Sequence, residues 1–436
     1  MACFLIATIP VVGHVFPAIS IARKLVERGH KVYWYTGKLF QSMIEETGAQ
    51  YIPIIKGLDF SNPSNVPKHL LDEREELSKL AQFKFDIKCF FIDSAVSQLK
   101  DLTDILLEIP VDVILSDFCF LGSAWIYEKG GPPWVSFGAS ALPFNSEDTA
   151  PYGLGLKPNS SLVGRWRNRV LNWVFERVLL ADVSIHINKV RSLVALPKSN
   201  KNFFDSCLSP FLYLQGTVPS FEYPRQHMPS QVEFVGPFLP EPPDSFIPPI
   251  WWHDLEQNKP VIHVTQGTVA TDIKELILPT LEALADEDLL VVVTTGKESI
   301  EDIELIRKNF QNARVESFIP HFYLLPHTDI MITNGGYNGV QIALANGVPL
   351  IAAGKSEDKP EICSRIEWAE VGINLKTNKP KPTQIKNAVK EILQSPFYQQ
   401  KAQLLKTEIM QYDATKKSVE LLEYLVTNKL PLIETI

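Results

Sequence analysis

Two short loops hold the residue types from which a reaction site can be built. The first, Val12-Gly13-His14-Val15-Phe16-Pro17, follows the apolar run Phe4 to Thr8. Imidazole titrates close to neutral pH, so His14 suits a general base that takes a proton from a hydroxyl group. A single histidine after a strand is equally open to a structural role, and its place at a strand's carboxyl end favours the catalytic one. Such a base needs a carboxylate on its far ring nitrogen to fix the tautomer and stabilise the imidazolium. Asp117 stands after Val111-Asp112-Val113-Ile114-Leu115-Ser116, again where a strand should end. Capping the following helix is the other role open to Asp117, and Asp112, nearer the strand's start, is a weaker rival.

The second loop is Asn334-Gly335-Gly336-Tyr337-Asn338-Gly339, between the apolar run Ile330 to Thr333 and a helical pattern. Paired glycines remove Cβ atoms where a helix begins, so backbone N–H groups can approach an anion that the helix dipole already favours. A diphosphate is the anion to expect; a packing turn is the alternative for an isolated Gly-Gly pair. Val264-Thr265-Gln266-Gly267-Thr268 ends another strand, and the Thr268 hydroxyl can either donate to a phosphate or cap a helix.

These loops need a scaffold that presents strand ends. The pattern strand, loop, helix, strand recurs through the first half: Phe4 to Thr8, Lys31 to Thr36, Val111 to Leu115 and Trp134 to Phe137. It restarts with Val261 to Thr265, Leu289 to Thr294, Val315 to Phe318, Ile330 to Thr333 and Leu350 to Ala353, with a helix expected over Glu275 to Ala285. Such alternation predicts parallel sheets with helices on both faces. Six prolines between Gly236 and Pro249 forbid helix and central strand alike. The reading is therefore α/β with two Rossmann-like, doubly wound domains facing across a cleft: 1–235, a proline-rich linker 236–259, 260–412, and a terminal helix in 413–436 that crosses back to the first domain. Ligands of such sheets bind beyond the carboxyl ends of the strands, where both loops lie.

Composition narrows the function. With 436 residues, 45% of them hydrophobic and 21% charged, the chain has enough apolar content for two cores. A net charge of −8 argues against a sequence-independent grip on nucleic acid and leaves a small molecule as the expected partner. The five cysteines are scattered and never spaced as CxxC, which excludes the usual zinc spacings and a disulfide framework and fits a reducing cytoplasm. The apolar start has no Lys or Arg before it, so a buried strand is expected rather than a signal peptide. No stretch approaches the ~18 apolar residues of a membrane span. Between Ser160 and Leu180, Arg165, Arg167, Arg169 and Arg177 alternate with apolar residues. A helix packed on the first domain with its arginines in water is expected, and an amphipathic helix touching a membrane is the alternative. Phe137, Phe144 and Tyr152 suggest a flat or apolar ligand or, equally, core packing.

The passage from Phe318-Ile319-Pro320 through Leu324-Leu325-Pro326, Asp329, Asn334-Gly335-Gly336, Asn338 and Gly347-Val348-Pro349 to Asp358-Lys359-Pro360 resembles the donor-binding signature of the family 1 glycosyltransferases, the UDP-glycosyltransferases of GT-B fold. The loop at His14 resembles that family's Gly-His-Val-x-Pro loop, and the Gly267-Thr268 turn its Gly-Ser or Gly-Thr loop. The resemblance implies that Phe318 stacks on the nucleobase with Ile319 and nearby backbone at its edge, and that Gly267, Thr268, Asn334, Gly335, Gly336, Asn338 and Gly339 serve the diphosphate. Asp358 and Lys359 would read the sugar's hydroxyls, His14 with Asp117 would activate the acceptor, and neither metal nor other cofactor would be needed beyond the nucleotide-sugar co-substrate.

Three positions depart from the family pattern. Asn334 replaces a histidine and can still donate to phosphate. Ile342 replaces the glutamate that accepts from the ribose hydroxyls, so a dTDP-sugar stands beside a UDP-sugar as donor. Lys359 replaces glutamine, which opens the hydroxyl pattern of the hexose and admits an acidic sugar. The implied function is inverting hexose transfer to a hydroxyl of a small aromatic or apolar acceptor by a monomer or weak dimer. A non-catalytic nucleotide-sugar binder, a lipid-acceptor glycosyltransferase and a sugar-nucleotide epimerase are the alternatives.

Overall fold

The computed structural model describes residues 1–243, 245–267, 272–296 and 300–429. Among the described residues the chain forms two all-parallel sheets. The first contains β1 (Cys3–Ala7), β2 (Lys31–Thr36), β3 (Gln50–Pro53), β4 (Val113–Asp117), β5 (Trp134–Gly138), β6 (Tyr213–Gln215) and β7 (Val232–Phe234), in the order β3-β2-β1-β4-β5-β6-β7. The second contains β8 (Val261–Thr265), β9 (Leu290–Thr294), β10 (Ala313–Glu316), β11 (Ile330–Thr333), β12 (Leu350–Ala352) and β13 (Gly372–Asn374), in the order β10-β9-β8-β11-β12-β13.

The central strands are buried throughout, as strands covered by helices on both faces must be. Along β1 the side chains alternate: Leu5 and Ala7 join one core with Ile114 and Trp125, while Phe4 and Ile6 join the other with Val113 and Leu115. The helix Ala414–Asn428 supplies Val419, Leu422 and Leu425 to that second core, beside Ile21, Ala22 and Leu25 of the helix Ile19–Glu27. The end of the chain thus packs on the first sheet. Gly236 adopts φ +90° as the chain leaves that sheet, and a Cβ there would stand 2.4 Å from Tyr412. Only glycine allows this approach of the linker to the returning segment.

Strand order reverses direction between β1 and β4 in one sheet and between β8 and β11 in the other. At each switch the connecting loops diverge and leave a crevice at the carboxyl ends. Asp117 closes β4 where Ala7 pairs with Ser116, and Thr333 pairs with Thr265 before the Gly-Gly turn.

A buried ionic cluster holds the two halves together. Arg365, 1% exposed on the helix Lys359–Trp368, donates from Nε to Glu222 Oε1 at 2.9 Å and from Nη1 to Glu361 Oε2 at 2.9 Å. Its guanidinium also lies 3.9 Å over the Tyr223 ring. Glu361 Oε1 in turn accepts the N–H groups of Gly153 and Gly155, at 3.0 and 2.8 Å, and Glu222 accepts that of Leu142 at 2.9 Å. Second-domain side chains are thereby bonded to first-domain backbone with every charge met. Arg225 Nη1, 3.4 Å from Glu222 Oε1, is a further buried cation, so removing Arg365 leaves Glu361 as the buried carboxylate without a cationic partner, and breaking a buried pair typically costs about 3–5 kcal/mol. Arg365→Ala is therefore expected to lose about 3–5 kcal/mol of unfolding free energy, read from urea denaturation. A loss below about 1 kcal/mol, the value of an exposed pair, would contradict this account of the cluster.

Candidate functional site

His14 sits in a single helical turn, Val12–Val15, that starts five residues beyond β1. Its Nδ1 lies 2.8 Å from Asp117 Oδ1, with side-chain exposures of 17% for the imidazole and 0% for the carboxylate. Asp117 also accepts the Ile9 N–H on Oδ2 at 2.6 Å and the Cys119 N–H on Oδ1 at 2.9 Å. The imidazole stacks on Phe118, ring centroids 5.6 Å apart and planes within 4°. Carboxylate and ring plane are thus fixed by three separate contacts, and Nε2 is the nitrogen left to exchange a proton. Asp112 is excluded as the partner: its carboxylate accepts from Cys3 N at the opposite end of the strand.

Burial pulls the His14 pKa down, but the Asp117 charge, the hydrogen bond to it and the charge of Asp358 together outweigh burial and hold it above the ordinary imidazole value. The helix Tyr337–Ala345 has Gly336 at its N-cap and no capping side chain, so its first N–H groups point outward without an internal acceptor. Gly335 takes φ +86°, and a Cβ there would lie 2.6 Å from Cys363 Sγ, so this turn requires glycine. Asn334 Nδ2 donates to the Gln266 carbonyl, tying the turn to the loop after β8. In this state the Asn334 amide braces the loop. Asn338 Nδ2 reaches Gly13 O at 3.5 Å, which sets the helix N-terminus directly against the His14 turn.

Asp358 faces the same space. Ser140 Oγ donates to its Oδ2 at 2.5 Å and lies 2.9 Å from the Tyr152 hydroxyl. Burial raises the Asp358 pKa, against the opposing hydrogen bond from Ser140 and the charge of Lys359. Lys359 pairs with Glu357 and donates to Ser356 Oγ at 3.1 Å. Its charge is met within its own loop.

The structure links the expected site residues by contact and charge: His14 to Asp117, Asn338 to Gly13 beside His14, Asn334 to Gln266 next to Gly267, and the Asp358 charge to His14, with Gly335, Gly336 and Gly339 in the same turn and helix as Asn334 and Asn338. Phe318 follows β10 with 71% of its surface exposed, as an open stacking platform would be. Ile319 is 1% exposed in the core with Val261 and Leu324, so only its backbone is available to a base. Ile342 is half-buried against the second-domain core and offers no acceptor to a ribose hydroxyl. Thr268 lies outside the described residues. Phe137 and Phe144 prove to be core side chains, which withdraws them as ligand-facing aromatics. A recess lined by Pro10, Tyr35, Ile54, Leu58, Phe60 and Phe120 opens beside the His14 loop instead.

Sequence reasoning missed Ser140 and the Glu222–Arg365–Glu361 cluster. No local pattern marks Ser140, and Glu361 with Arg365 reads as an ordinary i,i+4 surface pair. Among the described residues, His14, Asp117 and Cys119 are the group of three whose N, O and S ligand atoms lie within 4.8 Å of one another. Two of those atoms already bond to each other, and burial pushes the Cys119 thiol well above its ordinary pKa, so the set does not fit a metal centre.

Comparison with known proteins bears on the fold and the family. Residues 4–97 match the model of the glycosyltransferase family 28 N-terminal domain, and residues 278–425 that of the erythromycin biosynthesis protein CIII-like C-terminal domain. The chain is 43% identical over 97% of its length to 4'-demethylrebeccamycin synthase of Lentzea aerocolonigenes, covering 99% of that protein. It is 30% identical over 98% of its length to UDP-glucosyltransferase A1 of Starmerella bombicola, covering 92% of it. The crystal structure of the spinosyn rhamnosyltransferase SpnG complexed with thymidine diphosphate superposes with a TM-score of 0.68 at 17% identity, covering 97% of this chain and 100% of that one. With relatives matched nearly end to end at these identities, the chain belongs to the family 1 glycosyltransferases and is an enzyme of their two-domain GT-B architecture.

Proposed function

We propose that this enzyme transfers a hexose from a dTDP- or UDP-sugar to a hydroxyl of a small apolar acceptor, with inversion and with His14 as general base. The observation that carries the reading is the 2.8 Å contact of His14 Nδ1 with a carboxylate that two backbone N–H groups hold in place, directly beside an uncapped helix N-terminus. Nε2 takes the acceptor's proton as the acceptor oxygen bonds to the anomeric carbon. The bond from that carbon to the diphosphate breaks with its electron pair leaving on phosphate oxygen. The N–H groups at Gly336 to Gly339 meet that charge, so the leaving group needs neither an acid nor a metal. A single displacement turns an α-linked donor into a β-linked product. Asp358, with Ser140 behind it, is placed to accept from sugar hydroxyls.

Ile342 supports a deoxyribose donor, since it leaves a ribose 2′-hydroxyl without an acceptor. The recess beside the His14 loop mixes apolar Pro10, Phe60 and Phe120 with polar Ser94, Ser97 and Gln98, which supports a small, largely apolar acceptor that carries polar groups.

Three outcomes test this reading. His14→Ala should lower kcat by about 10²- to 10⁴-fold while nucleotide binding, followed by thermal shift, stays unchanged and insensitive to a chelator. A base works unprotonated, so a raised His14 pKa moves the acid limb of the rate profile upward. kcat/KM should therefore be half-maximal above about pH 6.5, the ordinary imidazole value, and fall below it. Ile342→Glu should strengthen UDP binding relative to dTDP in the same thermal-shift comparison, and an unchanged ratio would sink the role given to this position.

A further inference from the structure

The helix Leu162–Val174 is docked the wrong way out. Its polar face is the one turned to the protein: Asn168 Nδ2 donates to Glu147 O at 2.8 Å and Asn172 Nδ2 to Ser146 O at 3.1 Å. Arg165 pairs with Asp148 and Arg169 with Glu147, each at 2.9 Å. The helix packs on the first domain as expected, with Arg169 and Arg177 exposed, but it does so through its polar face and leaves its apolar side outward. Leu162, Val163, Trp166, Val170 and Trp173 are exposed by 87, 77, 67, 41 and 61%, and Val178 in the π-helical turn Phe175–Leu179 by 58%. Steps of three and four residues from Val163 through Trp166 and Val170 to Trp173 align these side chains in one stripe, roughly 15 Å long at 1.5 Å per residue. Isolated exposed apolar residues need no explanation, but a continuous stripe with two tryptophans does.

We infer that this stripe seats the enzyme on an anionic phospholipid surface, with the helix lying in the interfacial plane. Tryptophan is the side chain that favours the boundary between headgroups and acyl chains, and both tryptophans lie on the stripe. The charge is complementary. Of the four arginines between Leu162 and Leu180, Arg165 and Arg169 are met by Asp148 and Glu147, which leaves Arg167 and Arg177 as the charges beside the stripe. Among the described residues Arg167 bonds only to Asn168, and Arg177 has no carboxylate partner. A second copy of the chain is the poorer occupant. A two-fold interface would bring two copies of the segment together with no carboxylate for Arg167 or Arg177, whereas phosphatidylserine headgroups supply that negative charge. No helix among the described residues is long and apolar enough to cross a membrane, so the contact is peripheral. An enzyme held this way would meet apolar acceptors where they partition.

The test is flotation of the full chain with vesicles of phosphatidylcholine alone or mixed with phosphatidylserine, beside the variants Trp166→Ser/Trp173→Ser and Arg167→Glu/Arg177→Glu. The wild type should rise with the mixed vesicles, and its tryptophan emission should move to the blue. The tryptophan variant should stay in solution with an unchanged melting temperature. The arginine variant, which leaves the stripe intact, should lose most of its preference for the anionic vesicles. A wild type that stays in solution with both vesicles overturns the inference. So does flotation untouched by either pair of substitutions, or self-association in sedimentation that the tryptophan substitutions abolish.

Discussion

The site depends on one carboxylate held in one orientation. Asp117 ends β4 at the point where that strand lies against β1, and it accepts from Ile9 N, Cys119 N and His14 Nδ1 at once. Two neutral N–H donors anchor the charge, so the imidazole does not have to. That division lets His14 bind a proton reversibly while its ring stays in place between Asp117 and Phe118. It also requires parallel neighbours. Only adjacent parallel strands present their carboxyl ends on one side, and only where strand order reverses do their loops separate enough to admit a ligand. The second sheet repeats the device at β8 and β11, where the two crevice-facing loops hold the Gly-Gly turn through Asn334 and Gln266.

Two halves built on one principle must still be brought into register. The buried Arg365 cluster does this for the helix that begins just after Asp358, while Gln215 bonds the Tyr337 hydroxyl at 2.9 Å and Thr217 bonds Gln341 at 3.1 Å for the helix after the Gly-Gly turn. Both helices that would touch the donor are therefore bonded to the first domain within two turns of the residue that does so. The ionic cluster is weak evidence for added stability, because buried ions pay heavily in lost hydration. Its directional bonds fix position instead: Glu222 and Arg365 fit in one geometry, whereas an apolar contact would slide.

Much of this is legible in the sequence where a function is written in consecutive residues. The His14 loop, the Gly-Gly turn and the end of β4 each follow a strand whose continuous apolar run announces burial on both faces, and each keeps its place in the structure. Elements that depend on distant partners are not legible. β6, β7 and β13 are three residues long, too short for any period to show. Glu222 and Arg365 are 143 residues apart, and nothing near either marks the other. Lys359 reads as a free cation until Glu357 is seen beside it. Phe137, on β5, and Phe144 settle to the core, the alternative that their residue type leaves open because an aromatic serves a core as readily as a ligand. The helix Leu162–Val174 misleads for a similar reason: its periodicity is plain, but periodicity does not say which face turns inward.

The claim on which the account rests is that Asp117 holds His14 as a tethered base with a raised affinity for its proton. Titration of the His14 ring by ¹⁵N NMR in the wild type and in Asp117→Asn measures this directly. The account predicts a midpoint above about 6.5, the ordinary imidazole value, with the proton retained on Nδ1 as the ring deprotonates, and a lower midpoint in Asp117→Asn, where burial is opposed only by the more distant charge of Asp358. A wild-type midpoint at or below that value, or one that Asp117→Asn leaves in place, would contradict it.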